Sequence, residues 1–444
     1  MHSRGGLHLR RLLGSSAKPI GRPTADWCRF SASLALCSLL GIVMFAAPAK
    51  GTAAAATGEN NAENRLLTED DFEIGGALRF NYAAQRSDGD QRDRGGDASL
   101  DLFRLNIEGE QQGIEFSAEY RWYTNQDVLH HGWAGFGAGE HGQVRVGVSQ
   151  VPFGILPYAA HNYWFGIPFY VGLGDAYKLG AQYIRENGPW DLRLAFYKNP
   201  VENDPGNLER YGFDLVNHAG CADNDDNAAS DNGSGDNDNG SGESQDCTRE
   251  SNQANLRLAY TLDEGGSCPV ELGLSGQWGM VPNSETGEDG SRWAGAAHLD
   301  MRCGRWGVQL QAGRQVIDVD LDSTDGDGEE DTVTFGGMDG KYQVASKANL
   351  GVLNIAYNFP VPWENIDSLT CYNDFSIYHK DESDYSNSKI NTTGCAIGRG
   401  PLFIYADVIR GKNAPFLGDS GAETLGEGGA GWDTYYNLNL GYYF

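Results

Sequence analysis

Six of the eight cysteines lie beyond residue 50: Cys221, Cys247, Cys268, Cys303, Cys371 and Cys395. In an exported chain such thiols are candidates for disulfides. Cys268 and Cys303 are centred on the polar stretch 281–290, and Cys371 and Cys395 on the stretch 381–386. If each stretch is the bend of a hairpin, its two cysteines lie opposite one another. Cys268 shares parity with Val270, Leu272 and Leu274, and Cys303 with Leu299 and Met301, which puts both on an apolar face. Opposed same-face residues have the short Cβ spacing a disulfide needs. Cys221 and Cys247 are then left to close the insert between them. Buried free thiols, or another pairing, are the alternative. No CxxC and no Cys/His cluster suggests a metal site.

Other reactive side chains are sparse. Nine histidines occur, two of them in the first ten residues. His130-His131 and His298 have no adjacent motif of the GxSxG kind. No catalytic residue and no cofactor is therefore assigned. What the chain does carry is a set of charged residues regularly interleaved with apolar ones: Arg104, Glu119, Arg121, Arg145, Arg193 and Arg257.

That interleaving has a period of two. Ile114, Phe116, Ala118, Tyr120 and Trp122 alternate with Glu115, Ser117, Glu119 and Arg121, and Leu256, Leu258, Tyr260 and Leu262 alternate with Arg257 and Thr261. Successive strand side chains point to opposite faces, so each such segment has one apolar and one polar face. Sixteen segments read this way, near 72–86, 97–109, 113–125, 127–137, 141–150, 176–185, 190–199, 253–262, 268–280, 291–302, 305–318, 346–358, 366–380, 387–398, 401–413 and 431–444. Most run 10–14 residues, longer than the five or six typical of soluble sheets (about 5–6) and enough for the roughly 9–11 that cross a bilayer. The fold predicted is all-β: a transmembrane antiparallel β-barrel of about sixteen strands, closed because lipid tolerates no open sheet edge. A secreted β-sandwich is the rival fold. In the barrel the six interleaved charges line the lumen.

Composition agrees. Hydrophobic residues are 40% and aromatics 11%, with 61 glycines, a mixture that suits turn-rich β structure. Arg4, Arg10, Arg11, Lys18, Arg22 and Arg29 precede the apolar run Leu34–Phe45 and the Ala47-Pro48-Ala49 site, so 1–49 reads as a signal peptide and 50–71 as an N-terminal periplasmic segment before a barrel over 72–444. The net charge is −28, which argues against nucleic acid as a partner and for solubility in a saline habitat. Asp and Glu concentrate in two connections, thirteen in 200–252 and nine in 318–341.

Connections tend to alternate between short, as at Gln111-Gln112 and Asn187-Gly188, and long, as at 151–175, 200–252 and 319–345. Short periplasmic turns and long outer loops are the expected asymmetry. The final strand, Tyr436 to Phe444, alternates and ends on Phe, which resembles the signal that barrel-assembly machinery reads.

The strand Val146 to Gln150 runs into Val151-Pro152-Phe153-Gly154. This segment resembles the phosphate-selective porin O and P superfamily, where the corresponding strand leads into a loop folded into the lumen. The resemblance implies sixteen strands, a homotrimer and solute diffusion across the outer membrane of a Gram-negative cell. The next residues, with His161, Tyr163, Trp164 and Tyr170, would form the constriction; a packed plug or an oligomer contact is the alternative. Six cations face six anions among the inward positions of the surest strands, so the family name sets no anion preference. The acidic loops favour a weak cation preference at low salt. A phosphate or anion channel, a barrel hydrolase, and a receptor or adhesin are the competing functions.

Overall fold

The computed structural model describes residues 72–444 except 203, 205, 217–247, 284–286, 288, 320–330, 418–423 and 430. Residues 1–71, where the signal peptide and periplasmic segment are expected, the Cys221–Cys247 pair, most of the acidic connection 200–252 and residues 320–330 of the second lie outside the described residues.

Lipid on one side and water or a packed loop on the other impose the period-two pattern. The segments that carry it become strands: β1 (Phe72–Gln85), β2 (Asp97–Gln111), β3 (Ile114–Tyr123), β4 (Asp127–Gly137), β5 (Gly142–Gln150), β6 (Tyr177–Asn187), β7 (Trp190–Pro200), then β8 (Asp214–Leu215), β9 (Ser251–Leu262), β10 (Val270–Pro282), β11 (Asp289–Cys303), β12 (Trp306–Asp318), β13 (Thr332–Gly337), β14 (Gly340–Ala345), β15 (Lys347–Phe359), β16 (Ser368–Lys380), β17 (Ser388–Arg399), β18 (Leu402–Lys412) and β19 (Trp432–Tyr443). Sixteen of them close a barrel; β8, β13 and β14 form a separate three-stranded sheet. Each barrel strand pairs antiparallel with its sequence neighbours, and β19 pairs with β1 from Ala77↔Tyr443 to Gln85↔Tyr435. The Phe444 amide donates to Gly76 O at 3.1 Å and the Gly76 amide to Phe444 O at 2.8 Å, extending that seam.

The outer face is apolar. Ile74, Leu105, Phe136, Leu274, Leu353 and Leu438 are all exposed on it, an unfavourable arrangement in water and the required one in lipid. Aromatic pairs meet across neighbouring strands, Trp190 with Tyr260 and Trp306 with Tyr357, both at 4.7 Å between centroids. Such amphipathic rings suit the bilayer interface. This is the architecture of an outer-membrane β-barrel.

Two disulfides staple the wall. Cys268–Cys303 joins the foot of the β10–β11 hairpin, with Cα atoms 4.1 Å apart. Cys371 and Cys395 are direct register partners on β16 and β17, 4.0 Å apart. The hairpin centring read from the sequence places both pairs.

The long connections hold structure that period two did not predict. A short helix, Gly89–Arg94, is capped by Asp88, whose carboxylate accepts from the Gln91 amide. The stretch read as one loop over 319–345 contains the β13–β14 hairpin, and 200–252 contains β8.

Candidate functional site

The stretch 151–176 enters the barrel and runs along its inner wall. Its entry is the Pro152-Phe153-Gly154 turn. Gly154 has φ +64°, and a Cβ there would stand 2.2 Å from the Gln311 side-chain oxygen. Glycine alone lets the backbone come that close in that conformation. The Gly154 amide donates to Ser275 Oγ at 3.0 Å, and the Ile155 amide to Gln311 Oε1 at 3.1 Å. Arg257 donates from Nε to Gly154 O at 2.8 Å.

Further along, Asn354 donates to Ala159 O at 2.9 Å. Asp374 accepts from the His161 amide at 2.6 Å and from Asn162 Nδ2 at 2.8 Å, while His161 Nδ1 lies 2.8 Å from its other oxygen. The Tyr163 hydroxyl donates to Asp101 at 2.7 Å, and Asp407 accepts from the Tyr372 hydroxyl at 2.6 Å and from the Tyr163 amide at 3.4 Å. Trp164 packs on Tyr435 at 4.8 Å, and Tyr170, wholly within the apolar core, donates to Trp164 O at 2.9 Å. All four aromatic and histidine residues picked from the sequence thus sit in the inward-folded loop. The carboxylates that fasten them, Asp101, Asp374 and Asp407, were not picked. Inward parity was the available signal for Asp374 and Asp407; Asp101 shares the parity of outward Phe103 and Leu105, and the register shift between β1 and β2 at Arg79/Phe80 turns it inward.

The six interleaved charges face inward, but not alike. Arg104 and Arg121 are register partners. Both turn to Glu119, at 3.3 Å and 2.5 Å, so one carboxylate holds two like charges together. Arg145 donates to Gln143 at 2.5 Å and lies over the Trp133 ring at 4.1 Å; it does not reach Glu119's group as a partner. Arg193 pairs with Asp191 and Glu186, both at 2.9 Å. Arg257 is 1% exposed and bridges Asp191 at 2.7 Å and Glu271 at 2.5 Å. Its position corrects the reading of Arg257 as a water-facing wall residue: it anchors the loop. Arg79, missed in the sequence, ion-pairs with Asp101 at 2.9 Å and lies over Tyr163.

A contrast follows around the wall. Inward polar residues of β9 to β12 and β15, including Asn255, Ser275, Gln309, Gln311 and Asn354, are buried beneath the loop. On β1 to β3, Arg79 keeps 20% and Arg104 25% of side-chain exposure, and Glu108 and Glu115 are exposed. Arg193 on β7 and Glu271 on β10 keep 20% and 27%, so water reaches the inner wall there as well.

A bulge between Glu119 and Tyr120 turns both His130 and His131 inward. His131 Nε2 lies 2.9 Å from Ser117 Oγ and its Nδ1 2.9 Å from that of His130. Cross-strand pairing supplies the serine neighbour that no sequence motif announced. Among the described residues no group of three or more His, Cys, Asp or Glu is arranged to hold a metal.

Three solved structures share this architecture. The anion-selective porin from Comamonas acidovorans is 13% identical with a TM-score of 0.52, over 84% of this chain and 99% of that one. The outer membrane channel DcaP of Acinetobacter baumannii is 10% identical at 0.52, over 85% and 99%. OmpT of Vibrio cholerae, in its trimer form, is 11% identical at 0.52, over 84% and 99%. The chain has the porin fold. No family model matches it, and no curated protein does.

Proposed function

We propose that the protein is an outer-membrane channel for passive diffusion of ions or small hydrophilic solutes. The observation that carries this reading is a closed sixteen-stranded wall, apolar outside and polar inside, with a loop pinned across its interior. The solute path follows β1 to β3, with Arg104, Glu119 and Arg121 as lining residues and Arg145 and Arg193 nearer the short-turn end. The Pro152-Phe153-Gly154 turn supports placing the chain in the phosphate-selective porin O and P superfamily. Trimer formation, a lipid belt, and capture by the assembly machinery through the exposed Phe444 ring belong to the same reading.

The path is weakly cation-preferring at low salt, because the acidic connections at the long-loop end concentrate cations. One observation favours a second reading, an anion channel: Arg79, Arg104 and Arg121 gather on the inner face of β1 to β3 around Asp101 and Glu119, while Glu108 and Glu115 lie on that face nearer the Gln111-Gln112 turn. Reversal potentials under a salt gradient separate the two. Cation preference that fades between 0.01 M and 1 M, as the Debye length falls from about 30 Å to about 3 Å, supports the first. Anion preference that survives neutralisation of Asp225 and Asp226 supports the second.

A further inference from the structure

The loop 151–176 does not face an empty outer half of the lumen. Above it sits the β8–β13–β14 sheet. Leu215, Val333, Phe335, Tyr342 and Val344 from that sheet, with Phe213 just before β8, share one buried apolar cluster with Phe169, Tyr170 and Val171 of the loop. Phe213 meets Phe169 at 5.3 Å, and the Tyr342 hydroxyl donates to Tyr170 O at 2.6 Å.

Sheet, loop and the segment around Tyr211 that leads into the sheet together touch every strand of the wall. On β1 and β2, Arg79 and Asp101 hold Tyr163. On β3 and β4, Arg121 and His130 lie against Tyr211, at 4.5 Å and 4.4 Å. Gln150 of β5 donates to Pro157 O at 2.8 Å, and Lys178 of β6 reaches Asp214 at 3.4 Å. The loop bonds already described engage β9, β10, β12, β15, β16 and β18. Arg292 of β11 donates to Val171 O at 2.6 Å, Tyr435 of β19 packs on Trp164, and Tyr197 of β7 and Ile390 of β17 join the apolar cluster. The layer is a diaphragm.

Its attachment is uneven. Toward β6, β9 and β11 it is tied by buried charge: Lys178 bonds Glu250 and Gln253, Arg292 bonds Glu250 and lies over Phe335 at 5.1 Å, and Asp214 sits between Lys178 and Arg210. Separating such pairs is costly. Toward β3 and β4 the seal is thin. It consists of the Tyr211 ring, whose hydroxyl donates to Asp175 of the loop, the two-residue turn Met338-Asp339, whose amides donate to Arg210 O and Leu208 O, Gln126, whose amide reaches Met338 Sδ at 3.3 Å and Arg210 O at 3.5 Å, and Val128 and Tyr123 at the apolar cluster.

We infer that the β8–β13–β14 sheet is a stopper, hinged at the Lys178–Glu250–Arg292 cluster, and that Tyr211 and Met338 form the edge that lifts to open a path over Arg121. The inference rests on the channel reading. It makes Tyr211 and Met338 determinants of passage although neither was a candidate in the sequence.

The test is a cysteine pair, Gln126→Cys with Met338→Cys, in the full chain reconstituted in planar bilayers, with Tyr211→Ala as an independent variant. Oxidation should lock the edge and lower single-channel conductance or open probability several-fold. Reductant should restore it, with no such change in the parent protein. Tyr211→Ala should raise it. Equal conduction by locked and reduced protein would overturn the stopper while leaving the channel reading intact, and so would failure of the pair to cross-link. No conduction by any form, Tyr211→Ala included, would overturn the channel reading and the stopper with it.

Discussion

Arg257 shows how one side chain can carry both the loop and the wall. Its guanidinium joins Gly154 O, Asp191 and Glu271 while shut away from water. Removing it strands two carboxylates and a carbonyl. Arg257→Ala is expected to cost about 3–5 kcal/mol, the usual penalty for breaking a buried pair from one side, read as a lower temperature for loss of the heat-modifiable folded band. Gly154→Ala should cost less, about 1–3 kcal/mol, from a positive φ and the Gln311 contact. Glu202, just beyond β7, offers a pH test. Burial pushes its carboxyl up to about 7. A raised carboxyl favours the folded state when protonated, so stability should fall as pH rises from about 4.5, the unfolded value, through about 7. Glu202→Gln should remove that decline, raising stability at pH 8 and leaving it unchanged at pH 4. An unaltered pH profile would show that Glu202 is not the group responsible.

The barrel strands were legible because lipid and lumen write opposite demands on alternate residues. Leu256, Leu258 and Tyr260 against Arg257 is that pattern in its plainest form, and β9 begins and ends within two residues of where it points. The disulfides were legible for the same reason: hairpin geometry fixes which residues face each other. Cutting each staple by Cys→Ser should lose about 3–4 kcal/mol in the chain-entropy view, for loops of sequence separation 35 and 24. Non-reducing peptide mapping should find Cys268 with Cys303 and Cys371 with Cys395, and free thiols there would contradict the register. The stopper was not legible. Val333, Phe335, Tyr342 and Val344 alternate, but over six residues beside an acidic run, too few to cross a bilayer. Their partners, Phe213, Tyr170 and Leu425, lie far off in the chain, and no local pattern brings them together. Arg257 misled for a related reason. Parity tells which face a residue takes, but only the path of a loop from 100 residues away decides whether that face meets water.

Residues 72–444 form a cylinder with an apolar outer face, a polar inner wall, a loop pinned across it and a small sheet seated above. Most of its surplus negative charge lies in long connections at one end. If those loops face outward, protease applied to intact cells should cut within 217–247 and spare Asn187-Gly188; the reverse pattern would invert the topology. The central claim is that this cylinder conducts. Current through single molecules of the purified protein in a planar bilayer, across a salt gradient, tests it most directly. Discrete ohmic steps are expected, with a reversal potential on the cation side at 0.01 M that moves toward zero at 1 M. A bilayer that stays silent at every salt, for the parent protein and for Tyr211→Ala alike, would contradict the account.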